Sequence, residues 1–134
     1  MRKKTKRSTR WVNKAKNQNI KIYAGTHLIA DFWNGKIIEN KEELKKILIK
    51  AAKEGKNQPL EVVIHKFPFH GLTGVVLLAE SHIALHSWPE FNYLAIDIFT
   101  CGNKTMPYQA LDYLKKEFRP KKAEIREIKR GILK

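Results

Sequence analysis

Two stretches of this chain repeat apolar residues at helical spacing, and everything between them reads as strand. Within Lys41 to Glu54, Leu44, Ile47, Leu48, Ala51 and Ala52 recur every three or four residues, with Lys and Glu on the other side. Asn40 precedes Lys41-Glu42-Glu43 as an N-cap with acidic residues in the first turn, and Gly55 closes the helix. The second helix opens on Pro107, carries Ala110, Leu111, Leu114 and Phe118 at the same spacing, and is ended by Pro120. Four strand-like runs separate the two: Pro59 to Phe69, Gly74 to Ala79, His82 to His86 and Phe91 to Thr100. A β-branched and aromatic run from Ile20 to Trp33 precedes the first helix, with Gly25 as its true start or a bulge, and Asn34-Gly35 ends it. Lys122 to Lys129 follows the second helix as a weakly alternating strand whose lysines suit a sheet edge. The order β-α-β-β-β-β-α-β, with its helices far apart, predicts an α+β two-layer sandwich, an antiparallel sheet with both helices on one face.

Helices on one face leave the other to find cover. Its strands are apolar enough to predict a partner sheet, hence a homodimer. With 134 residues, 43% of them hydrophobic, one domain can bury a real core. No apolar run reaches the roughly eighteen residues of a membrane span, and the basic N-terminus leads into no apolar signal region, so a soluble cytoplasmic protein without membrane contact is expected. The net charge of +14 is unevenly spread. Residues 1–19 hold eight Lys and Arg and no Asp or Glu, against 19 basic and 13 acidic residues in the rest. That segment reads as a disordered arm, able to make weak, salt-sensitive contact with nucleic acid, ahead of a single domain over 20–134.

The chemistry is concentrated in Glu80-Ser81-His82-Ile83-Ala84-Leu85-His86-Ser87-Trp88-Pro89-Glu90, which sets two serines, two histidines and two carboxylates within one short run. If residues 75–88 formed one extended strand, Val76, Leu78, Glu80, His82 and His86 would share a side and Ser81 would face the core. A reactive Ser81 therefore requires a break at Glu80-Ser81, although no Gly or Pro marks one. The residues alone leave several readings open. Glu80, His82 and His86 with Cys101 could form a metal site. Cys101 with His86 could form a nucleophile and base. The basic arm could make the chain a nucleic-acid-binding module.

The motifs Glu80-Ser81-His82, His86, Trp88-Pro89-Glu90 and Asp97-Ile98-Phe99-Thr100-Cys101-Gly102 closely resemble the prokaryotic S-adenosylmethionine decarboxylases, which are pyruvoyl-dependent enzymes of polyamine synthesis. Gly71-Leu72-Thr73-Gly74 falls in register with the same family. The resemblance implies an autocatalytic cleavage between Glu80 and Ser81, giving a β chain of residues 1–80 and an α chain of 81–134. Ser81 would become the pyruvoyl group that takes the substrate amine as a Schiff base, with no metal required. His86 matches the processing base and Cys101 the donor that returns a proton to carbon. Thr73 stands where the family usually has a serine hydroxyl, and its extra methyl predicts slower processing. Phe67 matches the residue that stacks on adenine, and Glu90 the carboxylate that binds the ribose hydroxyls. The implied partners are S-adenosylmethionine and a second αβ protomer, and the implied pathway leads to spermidine. Arginine or ornithine is the alternative substrate, since relatives of the family use the same processing machinery on them.

Overall fold

A computed structural model describes residues 21–79 and 81–134. The basic arm and Glu80, the residue before the expected cleavage, lie outside the described residues. The elements are β1 (Tyr23–Trp33), α1 (Lys41–Glu54), β2 (Pro59–Lys66), β3 (Leu72–Leu78), β4 (Ser81–Trp88), β5 (Tyr93–Cys101), α2 (Pro107–Phe118) and β6 (Lys122–Ile132), with a 3-10 turn at Pro89–Phe91. The six strands form one sheet in the order β2-β3-β4-β5-β1-β6, and every neighbouring pair is antiparallel. The helices pack on each other and on one face of this sheet, against β2, β3 and β5. The predicted two-layer sandwich is the observed fold.

Local chemistry sets the helix ends. Asn40 Oδ1 accepts from the Glu43 N–H at 2.9 Å, satisfying one of the orphan donors of the first turn. At the other end of α1 the Gly55 N–H donates to Ala51 O, and Lys56 rather than the glycine takes the left-handed conformation, at φ 63°. Pro107 occupies the first turn of α2, where its missing N–H costs nothing, and Arg119 at φ 46° turns the chain out before Pro120.

Strand alternation builds the core. Leu28, Ala30 and Phe32 of β1, Val76 and Leu78 of β3, Ile83 and Leu85 of β4, and Ile96 and Ile98 of β5 all turn toward the helices and are buried. They meet Leu44, Ile47, Leu48, Leu111, Leu114 and Phe118. Their strand neighbours, among them Ile29, Val75, Ala84, His86, Ala95, Asp97 and Phe99, line the opposite face and are only half-buried.

Several boundaries differ from expectation, with β3 running Leu72–Leu78 rather than Gly74 to Ala79 and β4 Ser81–Trp88 rather than His82 to His86. β1 begins at Tyr23 and Gly25 lies inside a regular ladder, paired with Cys101, so it is neither the start nor a bulge. A Cβ there would come within 2.6 Å of Thr100 O and 3.2 Å of the Cys101 Sγ, so the glycine answers to close strand approach. β2 stops at Lys66, leaving Phe67 to His70 in a loop. β5 starts at Tyr93 rather than Phe91, because Pro89 nucleates the 3-10 turn and Asn92 reverses the chain at φ 53°. β6 runs on to Ile132, extending the predicted edge strand along the whole of β1.

Leu48 is fully buried at the junction of α1 with the sheet. Leu48→Ala is expected to lower unfolding stability by about 2–5 kcal/mol, as truncation of a core leucine does. Urea denaturation should show an earlier midpoint with an unchanged slope.

Candidate active site

The β3–β4 hairpin supplies the break that a reactive serine needs. Leu78 pairs with Ser81, so only residues 79 and 80 separate the strands, the shortest common hairpin connection. The continuous-strand parity is therefore overturned: Val76 and Leu78 face the helices, while His82, Ala84 and His86 lie on the opposite face of the sheet. The turn reverses the chain and resets the alternation. Ser81, opposite Leu78, remains on the helix side, but as the first residue of β4 it is only half-buried. On β5 the ladder pairs His82 with Phe99, which brings Cys101, two residues on, to the same end of the sheet as Ser81.

A second group of residues collects at the other end of β4. Thr73 and His86 are register partners, and Thr73 Oγ1 lies 3.2 Å from His86 Nδ1. Ser87 Oγ accepts from the Leu72 N–H at 2.9 Å and donates to Leu72 O at 3.4 Å, tying β4 to the end of the 67–71 loop. Gly71 closes that loop at φ 95°, with the Ser87 carbonyl only 2.8 Å from where a Cβ would stand. Phe67, Phe69, Thr73, His86, Trp88 and Glu90 line an open groove of about 450 Å³. Phe67 stands edge-on to His65 at 4.7 Å between ring centres, and Glu90 projects from the 3-10 turn. The rim is aromatic and still wet, with Phe67 44%, Phe69 88% and Trp88 42% exposed.

The expected site residues thus fall into two groups rather than one. Ser81 and Cys101 mark one end of the sheet, and Thr73, His86, Phe67 and Glu90 the other. Five residues of extended strand put Ser81 about 17 Å from His86 at roughly 3.3 Å per residue. The same geometry removes two alternatives within a single chain. His82 and His86 stand about 13 Å apart along β4 and cannot share an ion. Among the described residues no three His, Cys, Asp or Glu side chains converge as metal ligands. Cys101 lies six residues beyond Ala95, the partner of His86, about 20 Å away and too far for a nucleophile–base pair.

The open face also carries contacts that no single strand predicts. Trp33, Tyr93 and Trp88 stack across three strands, with ring centres 4.4 and 5.4 Å apart. The Tyr93 hydroxyl donates to Asp31 Oδ1 at 2.5 Å, and His27 Nε2 meets Asp97 Oδ1 at 3.0 Å. Burial, followed by the hydrogen bond and charge of Asp31, pushes the Tyr93 phenol up to about 12. The pairs join residues some 60 to 70 positions apart, so only the ladder register reveals them. The available signal was a polar residue four positions from another on one face of each strand, His27 and Asp31 in β1 and Tyr93 and Asp97 in β5.

Fold and half-sites together describe a small α+β sandwich with a serine at the exit of a hairpin turn and a thiol at the same end. The family described as S-adenosylmethionine decarboxylase matches residues 26–131. The chain belongs to that family. It is 40% identical over 110 residues to the S-adenosylmethionine decarboxylase proenzyme of Clostridium kluyveri, covering 81% of this chain and 87% of the relative. The proenzyme of Pelotomaculum thermopropionicum is 41% identical over 113 residues, covering 83% and 90%. Among solved structures, the adenosylmethionine decarboxylase from Aquifex aeolicus VF5 superimposes with a TM-score of 0.78 at 34% identity, covering 84% of this chain and 94% of that one.

A phenol whose pKa is raised on folding stabilises the fold below its unfolded value near 10, and that contribution is lost as pH rises through about 12. Stability should therefore fall between pH 10 and 12. Tyr113, also raised to about 12 by burial and then Glu117, contributes in the same window. Tyr93→Phe should flatten part of that fall, read as the urea midpoint against pH, and should remove one late-titrating phenol from the absorbance titration.

Proposed function

We propose that this chain is a proenzyme that cleaves itself between Glu80 and Ser81, converts Ser81 to a pyruvoyl group, and then decarboxylates S-adenosylmethionine to the aminopropyl donor for spermidine synthesis. The working form is a homodimer of αβ protomers. The observation that carries this reading is the division of an intact family motif into two half-sites about 17 Å apart on one strand. Two sheets packed open face to open face lie about 10 Å apart. A two-fold axis between them, running across the strands, lays the Ser81 end of one β4 over the His86 end of the other. Each site then takes Ser81 and Cys101 from one protomer and Thr73, His86, Phe67 and Glu90 from its partner. The open face suits such burial, with Val63, Leu77, Trp88 and Ile128 all more than 40% exposed in the single chain.

The residues fit the group that the proenzyme relatives imply. Ser81 is the first residue of β4, paired with Leu78 and only half-buried, so the bond before it lies at the end of the ladder rather than within it. In processing, the Ser81 hydroxyl attacks the carbonyl carbon of Glu80 and yields its proton to His86, whose ring Thr73 orients. The peptide link becomes an ester, loss of the Ser81 α-proton expels the carboxylate of chain 1–80 and leaves an enamine, and water hydrolyses its imine tautomer to the ketone with release of ammonia. Scission turns residue 81 from a hairpin leg into a chain end, free to leave the helix side. Once formed, the pyruvoyl group supplies an electron-withdrawing carbonyl that lets carbon dioxide depart from the bound amino acid. Cys101 returns a proton to the substrate carbon. Phe67 stacks on the adenine and favours the adjacent sulfonium, while Glu90 accepts both ribose hydroxyls. The added methyl of Thr73 crowds His86 and slows processing relative to serine.

The test combines mass and complementation. Wild-type protein should give two masses splitting after Glu80, the C-terminal one lighter by one ammonia than a hydrolytic fragment, and Ser81→Ala should stay intact. His86→Ala should also stay intact, yet co-expression with Ser81→Ala should restore cleavage of the Ser81-bearing chain. No cleavage in the wild type would end the pyruvoyl reading. No rescue in the mixed dimer would end the shared site. Carbon dioxide release should be seen with S-adenosylmethionine and not with arginine or ornithine.

A further inference from the structure

Decarboxylation consumes one proton in every turnover. When carbon dioxide leaves, the electron pair of the broken bond stays with the substrate carbon, the S–H bond of Cys101 breaks to protonate that carbon, and a thiolate remains. The next turnover cannot finish until the thiolate regains a proton. With two open faces packed together, bulk water has little access to it, so a neighbouring group must hold that proton. Cys101 stands on β5 two residues beyond Phe99, and Phe99 pairs with His82 of β4. His82 and Cys101 are therefore diagonal neighbours on the open face, with backbones about 7–8 Å apart. The Phe99 ring leans the other way, toward β1, with its Cε1 2.8 Å from where a Gly25 Cβ would stand, and does not cover that diagonal. The Cys101 Sγ leans with it, 3.2 Å from the same point, so a turn about its Cα–Cβ bond or one bridging water closes the gap to the imidazole.

We infer that His82 resupplies the proton that Cys101 spends. An N–H bond of the imidazolium breaks, its proton goes to the thiolate sulfur, and the neutral ring takes the next proton from water at the edge of the interface. Imidazole as a class makes this exchange near neutral pH. His82 is half-buried, its ring centre 6.0 Å from that of Phe99, and it forms no hydrogen bond or ion pair among the described residues. The other charged and titratable groups at this end are less suited. His27 lies across the Phe99 ring, and its Nε2 is held by Asp97 at 3.0 Å. Arg130 stands over the same ring at 4.8 Å, and a guanidinium does not give up its proton. The bond between residues 81 and 82 survives processing, so His82 stays attached to the reacting centre while acting through Cys101. It has this role only if Ser81 becomes the pyruvoyl group and Cys101 the donor, as proposed above.

The test is a rapid-quench measurement of decarboxylated product from S-adenosylmethionine, counted per pyruvoyl group, in the wild type and in full-length His82→Gln and His82→Phe. Cys101 already carries its first proton, so each variant should form about one product per site at the wild-type rate and then slow about a hundredfold. Imidazole added to His82→Gln should speed the later turnovers at least about tenfold and leave the first unchanged. A first turnover as slow as the later ones would make His82 a structural residue or the direct donor. An unchanged steady rate would give the work to another group, such as His86 of the partner subunit. Either result overturns the inference. Failure of both variants to cleave would place residue 82 in processing and overturn it as well. A wild type that stays uncleaved would instead end the pyruvoyl reading itself, and this role with it.

Discussion

The backbone hydrogen bonds that hold β4 between β3 and β5 decide where each of its side chains points, because a slip of one residue would turn them all over. Such a slip would bring His82 and His86 into the core and expel Ile83 and Leu85, which are now fully buried. Buried imidazoles without partners and exposed aliphatics are both costly, so the apolar half of β4 pins the register that presents the polar half. Every later feature depends on it. Thr73 meets His86 because they are register partners, and Cys101 shares an end with Ser81 because β5 runs antiparallel to β4.

A stiff, hydrogen-bonded sheet also sets a limit. It presents residues accurately but cannot bring together two groups separated along one strand. The segregation of Ser81 and Cys101 from Thr73, His86, Phe67 and Glu90 is therefore a property of the architecture rather than of a movable loop. The half-site at the far end is itself well supported. Ser87 ties the start of β3 to β4, and Gly71 lets the 67–71 loop return close against the Ser87 carbonyl. Phe67 and Glu90 consequently hang from short connections anchored to the sheet on both sides, with aromatic surface left open to a second molecule.

Much of this was legible residue by residue. The helix of Leu44, Ile47, Leu48, Ala51 and Ala52 and its Asn40 cap are local features, determined within a turn or two of chain, and they stand as read. The strands were legible as segments but not in their ends, since Asn92 and Lys56 take positive φ without being glycines and Pro89 starts a 3-10 turn. The turn between Leu78 and Ser81 was expected only on the reading that Ser81 reacts, and nothing in the composition announced it. Gly25 looked like punctuation and is instead a contact, because what it accommodates is the Thr100 carbonyl and the Phe99 ring, far along the chain.

The sequence by itself determined the inventory: which segments are helix and strand, which face of each is apolar, that the sheet has helices on one side, and which side chains are available for chemistry. These follow from periodicity, capping and motif spacing, all short-range properties of the chain. Only the tertiary structure decided the strand order, with β1 inserted between β5 and β6, and with it the cross-strand pairs Asp31–Tyr93 and His27–Asp97 and the separation of the site into two ends. Those depend on register between segments remote in sequence, which is fixed when the apolar faces are packed together and nowhere encoded in a single strand.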